Sequence, residues 1–108
     1  MTESSTDYGL RKAGPADLEI VLAHRARMFH AMGLVEIEGA AAASREFFEA
    51  AFKENRYHGW FALHDGQVVA GGGVVLLVYQ PGPRQASQFR PFVVNMWTDE
   101  THRGKGIA

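Results

Sequence analysis

The residues best suited to bind a charged ligand lie at the end of the sequence, in the segment Arg103, Gly104, Lys105, Gly106, Ile107 and Ala108. Glycine permits backbone conformations that a Cβ forbids, so a loop of this composition can direct several N–H groups towards one point. Arg103 and Lys105 add positive charge there. The segment is therefore a candidate phosphate-binding loop, although a short basic end is also compatible with simple exposure to solvent.

The segment before this loop supports the first interpretation. Residues 92–98 are almost continuously apolar, which predicts a strand at a central position, covered on both faces. Asp99 and Glu100 then form a short acidic turn. A loop that directly follows a buried strand and precedes a helix is where an open sheet offers backbone N–H groups to an anion. The sequence stops at Ala108, before such a helix.

Two helices are predicted upstream. The first begins at Gly14 and Pro15, because Pro is tolerated at the first helical position, and it ends at Gly33. Residues 36–43 contain an alanine run favourable to helix, and residues 44–46 are predicted to cap a second helix, which extends to Asn55. Apolar residues at helical spacing form the buried stripe of the second helix, namely Phe47, Phe48, Ala51 and Phe52.

The cationic side chains of the first helix are assigned no ligand. Arg25 falls within the span of its apolar face, whereas His24, Arg27 and His30 lie elsewhere on the helix. We expect all four to form a solvated flank whose aliphatic parts cover the core.

Four strands complete the predicted order β-α-α-β-β-β. A short strand covers residues 8–13, and the runs 57–64 and 67–79 flank Asp65 and Gly66. This pair predicts a tight hairpin, since both turn residues must tolerate positive φ. The triple glycine at 71–73 is followed by more strand rather than by a helix, so it indicates a bulge or a close approach instead of a dinucleotide-binding turn.

Composition excludes several classes of function. The chain has 108 residues, 46% hydrophobic and 21% charged, as expected for one globular domain. A net charge of -1 argues against a nucleic-acid partner. Because cysteine is absent, disulfides, thiolate zinc sites and a cysteine nucleophile are excluded. The five histidines lack the short spacing of a metal site, so no metal is predicted.

Nothing in the sequence predicts targeting to a membrane. Residues 1–7 are polar and are expected to form a disordered leader rather than a signal peptide. No apolar run reaches the length of a membrane span. A cytoplasmic location is the simplest expectation.

The terminal loop carries a resemblance to a known family. Arg103, Gly106 and Ala108 occupy the defining positions of the signature Arg or Gln, two residues, Gly, one residue, then Gly or Ala. Together with the preceding strand, the hairpin and the order of elements, this resembles the GCN5-related N-acetyltransferase (GNAT) family. The resemblance implies an α/β (α+β) fold with a mixed, mainly antiparallel sheet. Residues 8–108 would form a single acyl-CoA N-acyltransferase domain that ends inside the pyrophosphate-binding motif, with the C-terminal half of the fold missing.

The same resemblance implies the ligands and their sites. Acetyl-CoA would be the co-substrate, with its pyrophosphate on the backbone amides of residues 103–108. Its pantetheine arm would pair with the fourth strand through backbone groups of Met96 and Thr98, and the thioester would lie beside Asn95 or Met96. An amine acceptor would complete the reaction.

No catalytic acid or base follows from the residues. Asp99 and Glu100 lie in a turn, where acids are more often solvated, and the strand itself offers only Asn95. Tyr57, His58 and His64 remain possible polar members of the acceptor cleft.

Two functions therefore remain open. The first is an acetyl-CoA-dependent N-acetyltransferase acting on a primary amine of a small molecule or peptide, with activity impaired because the helix after the loop contributes N–H groups to the anion site. The second is a non-catalytic binding or assembly module that uses an exposed strand edge. In either case, self-association through residues 92–98 is expected.

Overall fold

Four antiparallel strands form the sheet of the computed structural model, which describes residues 8–84 and 86–104. Their bounds are β1 Gly9–Lys12, β2 Tyr57–His64, β3 Gln67–Val78 and β4 Phe89–Thr98. The strands are neighbours in this same order. The predicted order β-α-α-β-β-β is confirmed, whereas the predicted leader at residues 1–7 lies outside the described residues.

Two helices connect β1 to β2. A 3-10 turn at Pro15–Asp17 leads into α1, Leu18–Ala31, and α2 covers Ala40–Lys53. The prediction that α2 starts near residue 44 is wrong. The helix begins directly after Gly39, at φ 86°, because the alanines that follow have the highest helix propensity. Neither helix is long and apolar enough to span a membrane.

The core lies between the helices and one face of the sheet. Tyr57, Phe61 and Val75 lie on this face of the sheet and pack against both helices. The helices contribute Val21 from α1 and Phe48, Ala51 and Phe52 from α2. Phe47, which was predicted in the same stripe, is 38% exposed at the edge of this core.

The hairpin between β2 and β3 matches its prediction. Asp65 and Gly66 have φ values of 52° and 79°, so both turn residues adopt the left-handed conformation that a two-residue hairpin of this type requires. The turn sets the register that pairs His64 with Gln67 and Leu63 with Val68. A bulge between Ala62 and Leu63 then shifts the pairing by one residue, so that Ala62 pairs with Ala70.

Strand β4 differs from its prediction. The interpretation as a central strand covered on both faces does not fit the described strands, because β4 lies at the edge of their sheet. Val93 is 71% exposed there, which agrees with the exposed strand edge that was also expected. It also begins at Phe89 rather than Phe92, and so includes Pro91. An edge strand tolerates proline because one of its sides makes no ladder hydrogen bonds.

Candidate active site

A β-bulge interrupts β4. Val94 pairs with Gly73 and Trp97 pairs with Gly71, so Asn95 and Met96 together oppose Gly72 alone. Asn95 has a φ of 58°, a left-handed conformation that asparagine adopts more readily than most residues. Bulges break the alternation of a strand and redirect its groups, often beside active sites.

Two side chains make hydrogen bonds to the side-chain amide of Asn95. The residue is buried, with only 2% of its surface exposed. Its Oδ1 accepts a hydrogen bond of 3.0 Å from Nη1 of Arg25 on α1. Its Nδ2 donates to the hydroxyl of Tyr57 on β2 at 3.5 Å. Burial raises the pKa of Tyr57, although the hydrogen bond to Asn95 and the charge of Arg25 oppose that rise, so the hydroxyl is neutral at pH 7.

The triple glycine of β3 makes room for side chains from three other elements. A Cβ on Gly71 would lie 2.6 Å from Nδ1 of His24. A Cβ on Gly72 would collide with Sδ of Met96, and one on Gly73 would collide with the ring of Tyr57. The predicted interpretation of residues 71–73, a bulge or a close approach, is therefore confirmed.

A cleft runs along the end of β4 beside the C-terminal half of α1. We call it the edge cleft, with a volume of about 450 Å³ and the lining residues Met28, Ala31, Met32, Met96, Trp97, Thr98 and Arg103. Three residues of the predicted coenzyme site, Met96, Thr98 and Arg103, thus share one surface. Gly104 follows at φ 79°, and the predicted binding residues Lys105, Gly106, Ile107 and Ala108 lie outside the described residues.

The backbone of Thr98 faces away from β3. Its carbonyl accepts a hydrogen bond of 2.9 Å from Nε of Arg103, while the next amide, that of Asp99, donates to Val69 of β3 at 2.7 Å. Because neighbouring residues of a strand point their backbone groups to opposite sides, Thr98 offers its groups to the open edge.

The acids beyond β4 have structural partners. The Asp99 carboxylate accepts from the amide of Thr101 at 3.3 Å and so caps the 3-10 turn Glu100–His102. Glu100 lies with Arg27, His30 and Arg103 around a wider opening next to the edge cleft. Cations and acids are thus mixed on this part of the surface.

The three residues considered for the acceptor cleft do not converge on one site. Tyr57 is 5% exposed and lies beneath the bulge. His58 contacts the carbonyl of Asn55 through Nε2 at 3.1 Å. His64 packs near Tyr8 and His102, with ring centroids 5.4 and 5.0 Å away. Of the three, only Tyr57 contacts the bulge.

The prediction of a solvated cationic flank on α1 is wrong for two residues. His24 is 4% exposed, and its ring centroid lies 4.6 Å from that of Trp97. Burial lowers the pKa of His24 to about 4, and the nearby charge of Arg27 adds to the effect, so the imidazole is neutral at pH 7. Arg25 is half-buried and lies over the rings of Phe29 and Phe48 at 4.7 and 5.2 Å.

An apolar groove lies between α2 and the first half of β4. Its volume is about 440 Å³, and its walls are formed by Ala43, Ser44, Phe47, Phe48, Val75, Leu77, Phe92 and Val94, together with Arg25. Along β4, the bulge therefore separates this groove from the edge cleft. Within residues 8–84 and 86–104, no group of His, Asp or Glu side chains is arranged to hold a metal ion.

Comparison with known proteins gives a family match and a set of similar structures. The family model described as "Acetyltransferase (GNAT) family" matches residues 22–108. A predicted acetyltransferase from Clostridium acetobutylicum, crystallised with acetyl-CoA, is 22% identical, with a TM-score of 0.84 over 94% of this chain and 66% of its own. A GCN5-related N-acetyltransferase from Ralstonia eutropha JMP134 is 27% identical, with a TM-score of 0.77 over 94% and 68% of the two chains.

A third structure, a possible acetyltransferase from Clostridium difficile 630, is 15% identical, with a TM-score of 0.70 over 93% of this chain and 62% of its own. The present chain therefore spans about two thirds of the length of these three proteins. A search of curated proteins found no match.

Proposed function

Because the chain belongs to the acetyltransferase (GNAT) family, we propose that it is an acetyl-CoA-dependent N-acetyltransferase. The acceptor in this proposal is a primary amine of a small molecule or peptide. The similar protein from Clostridium acetobutylicum was crystallised with acetyl-CoA, which supports the choice of co-substrate.

The observation that carries the proposal is the shared position of Met96, Thr98 and Arg103 in the edge cleft, next to the bulge. In the proposed complex, the pantetheine arm extends β4 by pairing with the outward backbone groups of Met96 and Thr98. The pyrophosphate binds the amides of the loop that starts at Arg103. Such a loop suits an anion because glycine lets the ligand approach the backbone closely.

Binding of the arm involves one local change in this proposal. The Thr98 carbonyl accepts a hydrogen bond from Nε of Arg103, and the guanidinium moves away as an amide of the pantetheine arm takes its place. The released guanidinium is then available to the pyrophosphate, whose two negative charges it can bind with paired N–H groups.

The proposed reaction is direct transfer at the bulge. The neutral amine attacks the carbonyl carbon of the thioester, and backbone N–H groups stabilise the oxyanion. The C–S bond then breaks, the coenzyme leaves as a thiolate, and the proton lost by the new amide nitrogen passes through water to solvent or to the thiolate sulfur. Asp99 is not assigned as the base, since its carboxylate caps the following turn.

The apolar groove is the proposed acceptor site. It meets the bulge on the side of Val94, whereas the edge cleft meets it on the side of Trp97. A thioester at the bulge would thus have the coenzyme on one side and the acceptor on the other. The exposed rings of Phe47 and Phe92 suit an amine that carries an apolar group.

Titration calorimetry with acetyl-CoA tests the proposal. The variant Thr98→Pro removes the outward N–H of β4, and we expect it to weaken binding about 3- to 10-fold, the contribution of one hydrogen bond. The matched control Thr98→Ala changes only the side chain and should bind as the parent does. Circular dichroism verifies that both variants are folded.

The titration is performed on the chain as printed and on a form extended past Ala108. An absence of heat with both forms would refute the proposal. Binding by the extended form alone would support a contribution of the following residues to the pyrophosphate site, through the N–H groups at the start of a helix.

A second candidate function is an assembly module. It is favoured by the exposure of β4, where Phe92 is 47% and Val93 is 71% exposed. An exposed apolar edge strand is a template for pairing with a second chain. Acetyl-CoA binding distinguishes the two functions, because only the acetyltransferase requires a site for the coenzyme.

A further inference from the structure

We propose that Arg25 is a positioning residue that holds the bulge of β4 in the shape that receives the thioester. This inference rests on the proposed function, since it assigns a role at the same site. Arg25 lies on α1, 70 residues away from Asn95 in the sequence, and contacts it through one hydrogen bond of 3.0 Å.

Asn95 needs such a partner. Its side-chain amide is buried within the otherwise apolar run of residues 92–97, and its backbone has a positive φ, which is unfavourable for a residue with a Cβ. A hydrogen bond from a charged guanidinium is stronger than one between neutral groups. The contact from Arg25 therefore stabilises the conformation that the bulge requires.

Arg25 is itself fixed by both helices. Its guanidinium lies over Phe29 of α1 and Phe48 of α2, and its Nε donates to the hydroxyl of Ser44 at 3.4 Å. A side chain restrained in this way loses little further conformational freedom when it forms a hydrogen bond with Asn95. The position of the bulge therefore depends on the position of the two helices.

Tyr57 makes the second hydrogen bond to the side-chain amide of Asn95. Its hydroxyl is the acceptor, and Gly73 leaves room for its ring. Both polar atoms of the amide are thus bonded. Because the side chain of Asn95 makes both of these hydrogen bonds, a ligand at the bulge would contact the backbone of Asn95 and Met96 instead.

The role predicts a selective effect on ligands. The bulge would contact the acetylated end of the coenzyme, whereas the loop at residues 103–108 would contact its phosphates. A change at Arg25 should therefore weaken the binding of acetyl-CoA more than that of the nucleotide fragment 3′-phosphoadenosine 5′-diphosphate, which keeps the pyrophosphate but has no pantetheine arm. A purely structural role of Arg25 would instead affect both ligands equally.

The test compares the affinities of these two ligands in the parent and in Arg25→Met. We expect the dissociation constant of acetyl-CoA to rise about tenfold and that of the nucleotide fragment to change less than about twofold. Arg25→Lys, which keeps a charged donor, should recover part of the loss. Arg45→Met is the matched control, because it removes an exposed arginine that pairs with Glu19 rather than with Asn95.

A second variant keeps the test valid if Arg25→Met does not fold. Asn95→Gly removes the acceptor of the same hydrogen bond but retains a residue that tolerates positive φ. It should show the same selective loss, and the double variant should lose no more than either single one.

The measured affinities either support or overturn the proposed role of Arg25. Equal weakening of both ligands, an unchanged affinity for acetyl-CoA, or additive losses in the double variant would each overturn the role of Arg25 while leaving the proposed function intact. Failure of the parent to bind acetyl-CoA would instead remove the proposed function, and the inference would fall with it. A selective, non-additive loss supports the inference.

Discussion

Acid should destabilise this protein through one buried imidazole. Burial in the folded state lowers the pKa of His24 to about 4 from an ordinary 6.5. Between pH 6.5 and pH 4, His24 is therefore protonated in the unfolded chain but neutral in the folded chain. The stability that depends on neutral His24 is therefore complete above about pH 6.5 and is lost as the pH falls towards 4. Between pH 7 and pH 5 the free energy of unfolding should fall by about 2 kcal/mol from this residue.

Urea denaturation at the two pH values measures this loss. The imidazole is absent in His24→Gln, so the loss of unfolding free energy between pH 7 and pH 5 should be smaller by about 2 kcal/mol than in the parent. In thermal unfolding this corresponds to roughly 8 to 16 °C in melting temperature. The comparison is made between pH values within each protein, so the cost of burying the glutamine amide cancels. His30→Gln, which removes an exposed imidazole from the same helix, serves as the control and should retain the parent's difference. The same pH dependence in His24→Gln and in the parent would refute the burial of His24 as the cause.

Two further predictions concern packing and association. Gly73→Ala would place a methyl group against the buried ring of Tyr57, so it should lower the free energy of unfolding by about 1 to 3 kcal/mol. Gly82→Ala, in open space, is the control, and similar urea midpoints for both variants would contradict the close contact. The exposed edge of β4 should drive self-association in sedimentation experiments, and Val93→Lys should reduce it because a charge on an edge strand opposes pairing. A parent that sediments as a monomer at all concentrations would contradict this expectation.

Local patterns were enough to predict most of the fold. The hairpin followed from Asp65 and Gly66, whose conformation is a property of two residues, and the order of elements followed from apolar periodicity. The start of α2 was misplaced because a serine cap was preferred over the alanine run from residue 40. Among the described strands β4 lies at the edge, which agrees with the exposed edge expected from the sequence and with the presence of Pro91 in that strand.

The site was predictable only in part. Met96, Thr98 and Arg103 were expected near one another and do share the edge cleft, although their binding of a coenzyme stays a prediction. The role of Arg25 could not be read from α1, because its partner is 70 residues away. One local signal existed at the other end of the contact, since Asn95 is a polar residue that tolerates positive φ inside the apolar run of residues 92–97.

The buried position of His24 and the bulge have a common cause in β3. At three consecutive positions this strand carries no side chain, and a neighbour from a different element occupies each space: His24 from α1, Met96 from β4 and Tyr57 from β2. A larger residue at any of them would push its neighbour away, so α1, the bulge and β2 are set relative to one another by residues 71–73. The candidate site is therefore sensitive to a segment that contributes no polar side chain to it, and substitutions there should alter ligand binding through the position of the bulge.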